Sequence, residues 1–279
     1  MSGGNRRSRV RDEDAADHLR TEQLKLATWN VNSVRVREAR LTAFLAREQP
    51  DVLCLQELKV VDDDFPHEAV RAAGYEAATF GQKTYNGVGI LVKKGVELGN
   101  VTRTFGDGDD DPQARVIAAD VMGVRVVSIY VPNGGDLGTE KWEYKRTWLK
   151  RLKSYAASLD LTGRVAICGD INIAPEAKDV AKPDRWKNSV LFHPEMTAAF
   201  KDLLSVGLVD TTRLHHQGEG PFTWWDYRML AFPKGDGLRI DHIFASETLA
   251  KACTEVRVDR DERKGAQPAD HAPLIAVFS

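Results

Sequence analysis

The chain has 279 residues, enough to bury one large core or two small ones and too many for a peptide module. Hydrophobic residues make up 42% and charged residues 29%, a composition that excludes bulk disorder. Thirty-nine Lys and Arg against 41 Asp and Glu leave a net charge of -2, so any nucleic-acid contact must come from a local basic face, and a histone-like polycation is excluded.

At the N-terminus, residues 1–23 carry Arg6, Arg7, Arg9, Arg11 and Arg20 beside Asp12, Glu13, Asp14 and Asp17 with few bulky apolar side chains, which predicts a disordered polar tail. From residue 24 to residue 279 the apolar pattern has no linker-like break, which predicts one domain. Strands are predicted at Leu24–Val31 and Asp51–Gln56, with a helix over Glu38–Glu48 between them, where Leu41, Phe44 and Leu45 follow helical spacing. Val88–Lys93, Arg115–Val121 and Val124–Val131 are β-branched strands, the last two joined by a tight turn at Met122-Gly123. A long helix, Glu140–Leu159, carries Trp148, Leu152, Tyr155 and Leu159 on one face. Further strands are predicted at Val165–Gly169, Phe222–Trp225, Arg239–Ser246 and Leu274–Phe278. Strands and helices mixed with antiparallel hairpins indicate an α/β layered sandwich, sheets covered by helices.

Cys54, Cys168 and Cys253 are far apart and form no CxxC pair, which excludes a disulfide scaffold or zinc ribbon and makes the first two small buried hydrophobes. No apolar run approaches the roughly 18 residues of a membrane span, and the N-terminus lacks an apolar signal core. The expected location is the cytoplasm, without membrane contact.

Polar residues recur at the ends of the apolar strands: Trp29-Asn30-Val31-Asn32, Leu55-Gln56-Glu57, Tyr130-Val131-Pro132-Asn133, Gly169-Asp170-Ile171-Asn172, Ile240-Asp241 and Asp270-His271. Singly, each is read as a cap or turn residue. If the ends converge, the carboxylates Glu57, Asp170, Asp241 and Asp270 repel one another unless a cation is present. Oxygen donors of this kind suit Mg²⁺ or Mn²⁺ and not zinc. A histidine and amide donors alongside match phosphoester hydrolysis.

These segments, together with Ile173-Ala174-Pro175, Thr223-Trp224-Trp225-Asp226-Tyr227-Arg228, Leu238-Arg239 and Ala272-Pro273, resemble the exonuclease III family of abasic-site DNA repair endonucleases, in order from Leu24 to the C-terminus. The resemblance implies the DNase I-like four-layer α/β sandwich of the endonuclease/exonuclease/phosphatase superfamily. It also implies Mg²⁺-dependent cleavage of double-stranded DNA 5′ to abasic sites, with variable 3′-to-5′ exonuclease, 3′-phosphatase and 3′-phosphodiesterase activities at blocked 3′ ends, by a monomer. Position by position, Glu57 resembles the main metal ligand, with Asn30, Asn32, Asp170, Asn172, Asp270 and His271 around the ion. Asp170 corresponds to the residue that activates water, held by Asn172; His271, oriented by Asp241, and Tyr130 would face the scissile phosphate. Trp224, Leu238 and Ile240 would wall the pocket for an extruded baseless sugar, which flips out at low cost because it has lost its stacking. Trp225 is read either with that aromatic wall or as ordinary core.

DNA contacts are expected at Asn133, Lys182, Arg185, Trp186, Lys187 and Arg228, with Lys59, Lys83, Arg115 and Arg239 as further basic candidates for a sequence-independent grip on the backbone. The sequence departs from the family pattern at Ala269, where serine is common, at Asn32, where some relatives have Asp, and at Asp136, where certain relatives place a DNA-entering arginine. Asp107–Asp111 resembles a calcium loop but lacks its turn glycine and terminal acid, and is read as a solvated hairpin tip; His215-His216 is read as surface. Two other readings keep this fold: a phosphodiesterase acting on inositol phosphates or sphingomyelin, disfavoured by Thr223-Trp224-Trp225, and a non-catalytic nucleic-acid-binding regulator, disfavoured by the full set of catalytic positions.

Overall fold

A computed structural model describes residues 23–109 and 111–279; the predicted polar tail lies outside the described residues, apart from Gln23. Twelve strands form two six-stranded mixed sheets. The first has the order β11-β12-β1-β2-β4-β3 and is built from β1 (Leu24–Asn30), β2 (Val52–Gln56), β3 (Tyr75–Phe80), β4 (Val88–Lys93), β11 (Cys253–Val258) and β12 (Leu274–Phe278). The second has the order β5-β6-β7-β8-β10-β9, from β5 (Gly99–Thr102), β6 (Val116–Val121), β7 (Val124–Tyr130), β8 (Val165–Asp170), β9 (Leu208–Asp210) and β10 (Asp241–Ser246). The helices are α1 (Val34–Glu48), α2 (His67–Ala72), α3 (Glu140–Ser158), α4 (Pro183–Trp186), α5 (Pro194–Leu204), α6 (Thr212–His215) and α7 (Glu247–Ala250).

The central strands are apolar throughout because both of their faces are covered. In β1, Leu24 and Leu26 point between the sheets while Ala27 and Trp29 face the opposite way, and β8 divides Ala166 and Cys168 from Val165 and Ile167 in the same manner. The inner layer joins Leu26, Val52 and Ile90 of one sheet to Ile117, Val126 and Ile243 of the other. Outside the first sheet, Leu41, Phe44 and Leu45 of α1 cover Trp29, Leu53 and Ile275. Outside the second, Trp148 and Leu152 of α3 and Phe200 and Leu203 of α5 cover Ile129, Ile167 and Phe244. This is the four-layer sandwich expected from the sequence. Cys54 and Cys168 are buried and free, and among the described residues no helix is long and apolar enough to cross a membrane.

The sequence reading differs from the structure mainly at the margins. The strands it passes over, β3, β5, β9 and β11, are the four sheet edges; an edge strand has one paired neighbour and tolerates polar, half-exposed residues, so its alternation is weak. The helix at Val34–Glu48 begins four residues before the expected Glu38, and α2 and α5 have no counterpart among the expected elements. Phe222–Trp225 is not a strand: only Trp224 makes isolated bridges, to Leu238 and to His271, because the segment is a buried connection pinned from two sides. Likewise Arg239 and Ile240 precede β10. The acidic tip is not simply solvated, since Asp107 and Asp111 bind Arg151 at 2.7 and 3.4 Å. His216 contacts the Val256 carbonyl at 2.6 Å, whereas His215 is exposed.

At the end of α1, burial by itself lifts the Glu48 carboxyl, but hydrogen bonds and charge from Lys25 and Arg257 outweigh it and bring the pKa from an ordinary 4.5 down to about 2. Between those values the unfolded chain binds the proton that the folded chain refuses, so this contribution is present above pH 4.5 and is lost as pH falls toward 2. Glu48→Gln is therefore expected to be less stable than the wild type at neutral pH and to lose less stability on acidification across that window, as measured by urea denaturation at a series of pH values.

Candidate active site

The strand pairing brings the polar strand ends to one rim. β1 and β2 are parallel, with Asn30 beside Gln56 and Glu57 next in chain. β7 and β8 are parallel, with Tyr130 opposite Asp170. β10 runs antiparallel to β8 and starts at Asp241, opposite Asp170. Just beyond the strands, Asn32, Glu57, Lys59 and Asn172 adopt left-handed backbone conformations, with φ of 45, 53, 57 and 52°, so the chain turns sharply where its functional side chains are presented. Gly169 permits the approach of β7: a Cβ there would lie 1.9 Å from the Ile129 carbonyl oxygen.

Ligand atoms of Glu57, Asp170 and His271 all lie within 4.8 Å of one another. The amide nitrogen of Asn30 donates to Glu57 Oε1 at 2.9 Å and to Asp170 Oδ2 at 3.0 Å, tying the two sheets together across the rim. Its carbonyl accepts the Asn32 N–H at 3.0 Å, and Asn32 Nδ2 donates to Asp270 Oδ1 at 3.0 Å. His271 Nδ1 is 2.8 Å from Asp241 Oδ2, and its Nε2 is 3.6 Å from Asp170 Oδ2, the arrangement expected if Asp241 orients the ring. Thr223 Oγ1 accepts both the Ile240 and the Asp241 N–H at 3.1 Å, and Trp29 Nε1 donates to the His271 carbonyl at 3.2 Å.

Burial is the first cause that lifts Asp170, to about 7; the Asp241 and Glu57 charges add to it, while His271 opposes it. His271 is pulled down by burial but raised overall, to about 10, by Asp241, Asp170 and Asp270. Asp170 and His271 thus titrate as a pair that favours a carboxylate beside an imidazolium. Burial, followed by the same two carboxylates, Glu57 and Asp170, holds the Tyr130 hydroxyl well above its ordinary range, so Tyr130 is a phenol and not a phenolate. A site with this surplus of negative oxygen suits a hard divalent cation.

The other sequence-predicted residues fall around this centre. Asn172 holds Asp170 through its backbone N–H, 2.9 Å from Oδ1; its side chain donates instead to the Val131 carbonyl and accepts from Asn133 at 3.2 Å. Asp270 accepts the indole N–H of Trp224 at 3.0 Å. Leu238 and Ile240 are buried in one cluster with Ala174, Val180 and Leu191, with Trp224 and Trp186 packed against it; the two indoles meet edge-on at 5.7 Å. Lys182 and Arg185 both bind Asp236 at 2.8 Å and remain half-exposed. Lys187 and Arg228 are exposed, the latter beside Asp226. Trp225 is core, under Ala231 and Ala272.

Three basic candidates for the DNA backbone are engaged with other side chains of the protein. Arg239 is buried between Asp179 and Asp210. Arg115 is buried over the Tyr130 ring, 4.7 Å from its centroid. Lys59 pairs with Glu57 at 2.8 Å. Sequence reasoning missed Lys145, fully buried on α3; a lysine three residues before Trp148 on the apolar stripe was the available signal.

A fold of two packed sheets with helices outside, and this rim of carboxylates, amides and histidine, defines a class of phosphoester-cleaving enzymes. The Endonuclease/Exonuclease/phosphatase family model matches residues 27–271, and the chain belongs to that family. It is 35% identical over 268 residues to exodeoxyribonuclease III of Haemophilus influenzae, covering 91% of this chain and all of that protein. Among solved structures, the 3′ phosphatase NExo from Neisseria bound to a product DNA hairpin is 40% identical, with a TM-score of 0.88, covering 92% of this chain and 99% of that one. An AP endonuclease from Archaeoglobus fulgidus is 39% identical, also with a TM-score of 0.88 and the same coverage. The exonuclease III resemblance read from the motifs therefore holds along most of the chain, and the protein is a nuclease.

Proposed function

We propose that this protein is a Mg²⁺-dependent nuclease of base excision repair that cleaves double-stranded DNA 5′ to abasic sites. It also acts on blocked or recessed 3′ ends as exonuclease, 3′-phosphatase and 3′-phosphodiesterase, as a cytoplasmic monomer. The observation that carries the reading is the convergence of Glu57, Asp170 and His271 within 4.8 Å, with Asp241 behind the histidine. The names of its relatives, an exodeoxyribonuclease III, a 3′ phosphatase and an AP endonuclease, support the same substrate class.

Glu57 is the residue best placed to hold Mg²⁺, with Asn30, Asn32 and Asp270 nearby, and Mn²⁺ is expected to substitute, because both ions take oxygen donors. When bound, the ion neutralises charge on the phosphate oxygens in the transition state. Asp170 accepts the proton of the attacking water from its place 3.6 Å from His271 Nε2. Water adds to phosphorus, the phosphorus–oxygen bond to the upstream sugar breaks, and the leaving oxygen takes a proton from solvent to become a hydroxyl, Asp170 releasing its proton to solvent in turn. His271, kept cationic and oriented by Asp241, donates from Nε2 to the phosphate, and Tyr130 and Asn133 supply neutral donors. Trp224, Leu238 and Ile240 form the apolar wall for the baseless sugar, while Lys182, Arg185, Trp186, Lys187 and Arg228 meet the duplex beyond it.

The expected result is a single nick in an oligonucleotide duplex carrying one abasic site, abolished by EDTA and restored by Mg²⁺ or Mn²⁺. An intact duplex with a recessed 3′ end, run beside it, measures the exonuclease share. Nicking that continues undiminished in EDTA would overturn the metal dependence.

A second expectation concerns the grip on DNA. Replacing Lys182 and Arg185 together by alanine should weaken binding to abasic and intact duplexes alike and reduce the slope of log affinity against log salt by about 2, one for each phosphate no longer neutralised. Binding titrations at several salt concentrations check it; an unchanged slope places both side chains off the DNA.

A further inference from the structure

We infer that Lys145 is a positioning residue for the catalytic rim, an internal amino group that sets the relative placement of the two loops carrying Asn133 and Asn172; the inference rests on the nuclease reading above. Lys145 lies on the inward face of α3 with no exposed surface. Its ammonium donates to three backbone carbonyls from three separate segments: Asn133 at 3.0 Å, Asn172 at 2.8 Å and Val190 at 2.7 Å. The three N–H groups of a lysine are thereby all used.

The first two carbonyls belong to the loops after β7 and β8. Those loops are joined again on the side facing the rim, where Asn133 Nδ2 donates to Asn172 Oδ1 at 3.2 Å and the Asn172 N–H donates to Asp170 Oδ1 at 2.9 Å. Lys145 thus holds from behind the same two loops that grip Asp170 from in front. The third carbonyl adds the segment leading into α5, which is anchored to the Asp170 loop where the Ala174 N–H donates to the Leu191 carbonyl at 2.8 Å. The chain makes room for the lysine stem at Gly134, whose φ is +98° and where a Cβ would lie 2.9 Å from Lys145 Cδ.

A buried amino group is an expensive way to fill a core site, because an apolar side chain would avoid the desolvation, which here pulls the Lys145 pKa down to about 7. The geometry explains it by what the amino group collects: carbonyls that would otherwise be unpaired, arranged so that two loops from neighbouring strands move as one body. A side chain that merely filled space would touch these loops without fixing their separation.

The test compares Lys145→Met, which keeps the stem and removes all three donors, Lys145→Gln, which keeps part of the donor capacity, and Leu203→Ala, a core control on α5 away from the rim. Lys145→Met is expected to lower kcat on the abasic duplex by about tenfold to a hundredfold with KM changed less than about threefold, the pattern of an interaction realised in the transition state. Lys145→Gln should fall between it and the wild type. In an Asn172→Ala background, the further loss from Lys145→Met should shrink below about threefold, since both act on the same loop pair. Hydrogen exchange, read without any substrate, should accelerate in Lys145→Met over residues 131–135 and 170–174 and not in α1. A kcat loss reproduced by Leu203→Ala at equal change in Tm, a fully additive double mutant, or unchanged exchange in those two segments would overturn the inference. If Lys145→Met does not fold, Lys145→Gln carries the same three measurements. Absence of nicking by the wild type would sink the nuclease reading instead, and the exchange measurement would still decide whether Lys145 fixes the loops.

Discussion

Asp170→Asn is expected to lower the nicking rate by at least about a hundredfold, the scale for removing a proton-transfer group, while the affinity for an abasic duplex stays within about threefold of the wild type. The substitution is nearly isosteric and its amide oxygen can keep the backbone N–H of Asn172, while its NH2 group replaces the oxygen that accepts from Asn30, and an amide cannot accept the proton of the attacking water. The loss should be large because no neighbour can take over. His271 is held cationic by Asp241 and the surrounding acids, and the Tyr130 phenol is held protonated. Asp170 is the buried carboxylate on the Nε2 side of the histidine, whereas Asp241 is engaged at Nδ1. Single-turnover rates with saturating enzyme, alongside equilibrium binding of the same oligonucleotide, separate the two effects. Turnover retained within about tenfold of the wild type would remove Asp170 from the role of base.

Arg239→Met should destabilise the fold by about 3–5 kcal/mol, the cost of breaking a buried ion pair by deleting one partner. Arg239 is 1% exposed and binds Asp179 Oδ1 at 2.6 Å and Asp210 Oδ2 at 2.8 Å, both from buried carboxylates. It also faces His242 Nδ1 at 3.0 Å, and the other ring nitrogen, 3.0 Å from the Ile173 carbonyl, carries the proton that is donated there. Burial first, and then the Arg239 charge, hold His242 well below its ordinary range, so the ring is a neutral acceptor for the guanidinium. Without Arg239, Asp210 loses its guanidinium partner in a site nearly closed to water, while Asp179 keeps Arg213 and the Glu176 N–H. Urea denaturation at neutral pH measures the loss, and the Arg239→Met/Asp210→Asn double variant should recover part of it by removing the stranded charge. Equal stability of Arg239→Met and the wild type would show that the network is neutral to folding. Asp241 follows two residues later, so the network also anchors the start of β10 and, through it, the carboxylate that orients His271.

The motifs at the strand ends were legible because a strand buried on both faces leaves a continuous apolar run, and the polar residue that ends it stands out. Trp29-Asn30, Gln56-Glu57, Gly169-Asp170 and Ile240-Asp241 could be read that way, and they occupy the rim. Edge strands β3, β5, β9 and β11 could not, since one paired neighbour imposes too little pattern. Basic residues divided on the same ground: Lys182, Arg185, Lys187 and Arg228 are at the surface, whereas Arg115, Arg239 and Lys145 are interior. Charge along the chain is the same for both kinds, and only packing separates them.

Residue type and local periodicity were enough to predict the layered α/β architecture and to mark the polar strand-end motifs, and the family resemblance of those motifs singled out the candidate acids, amides and histidine, because these are properties of the chain alone. Which partner each group meets was settled by the packing: that Asn30 bridges Glu57 and Asp170, that Asn172 meets Asp170 through its backbone N–H, and that Lys145 and Arg239 are paired in the interior. Most pairings at the rim join residues far apart in the chain, up to 242 positions for Trp29 and His271, and they form because a buried polar group takes whatever partner the packed sheets bring within reach.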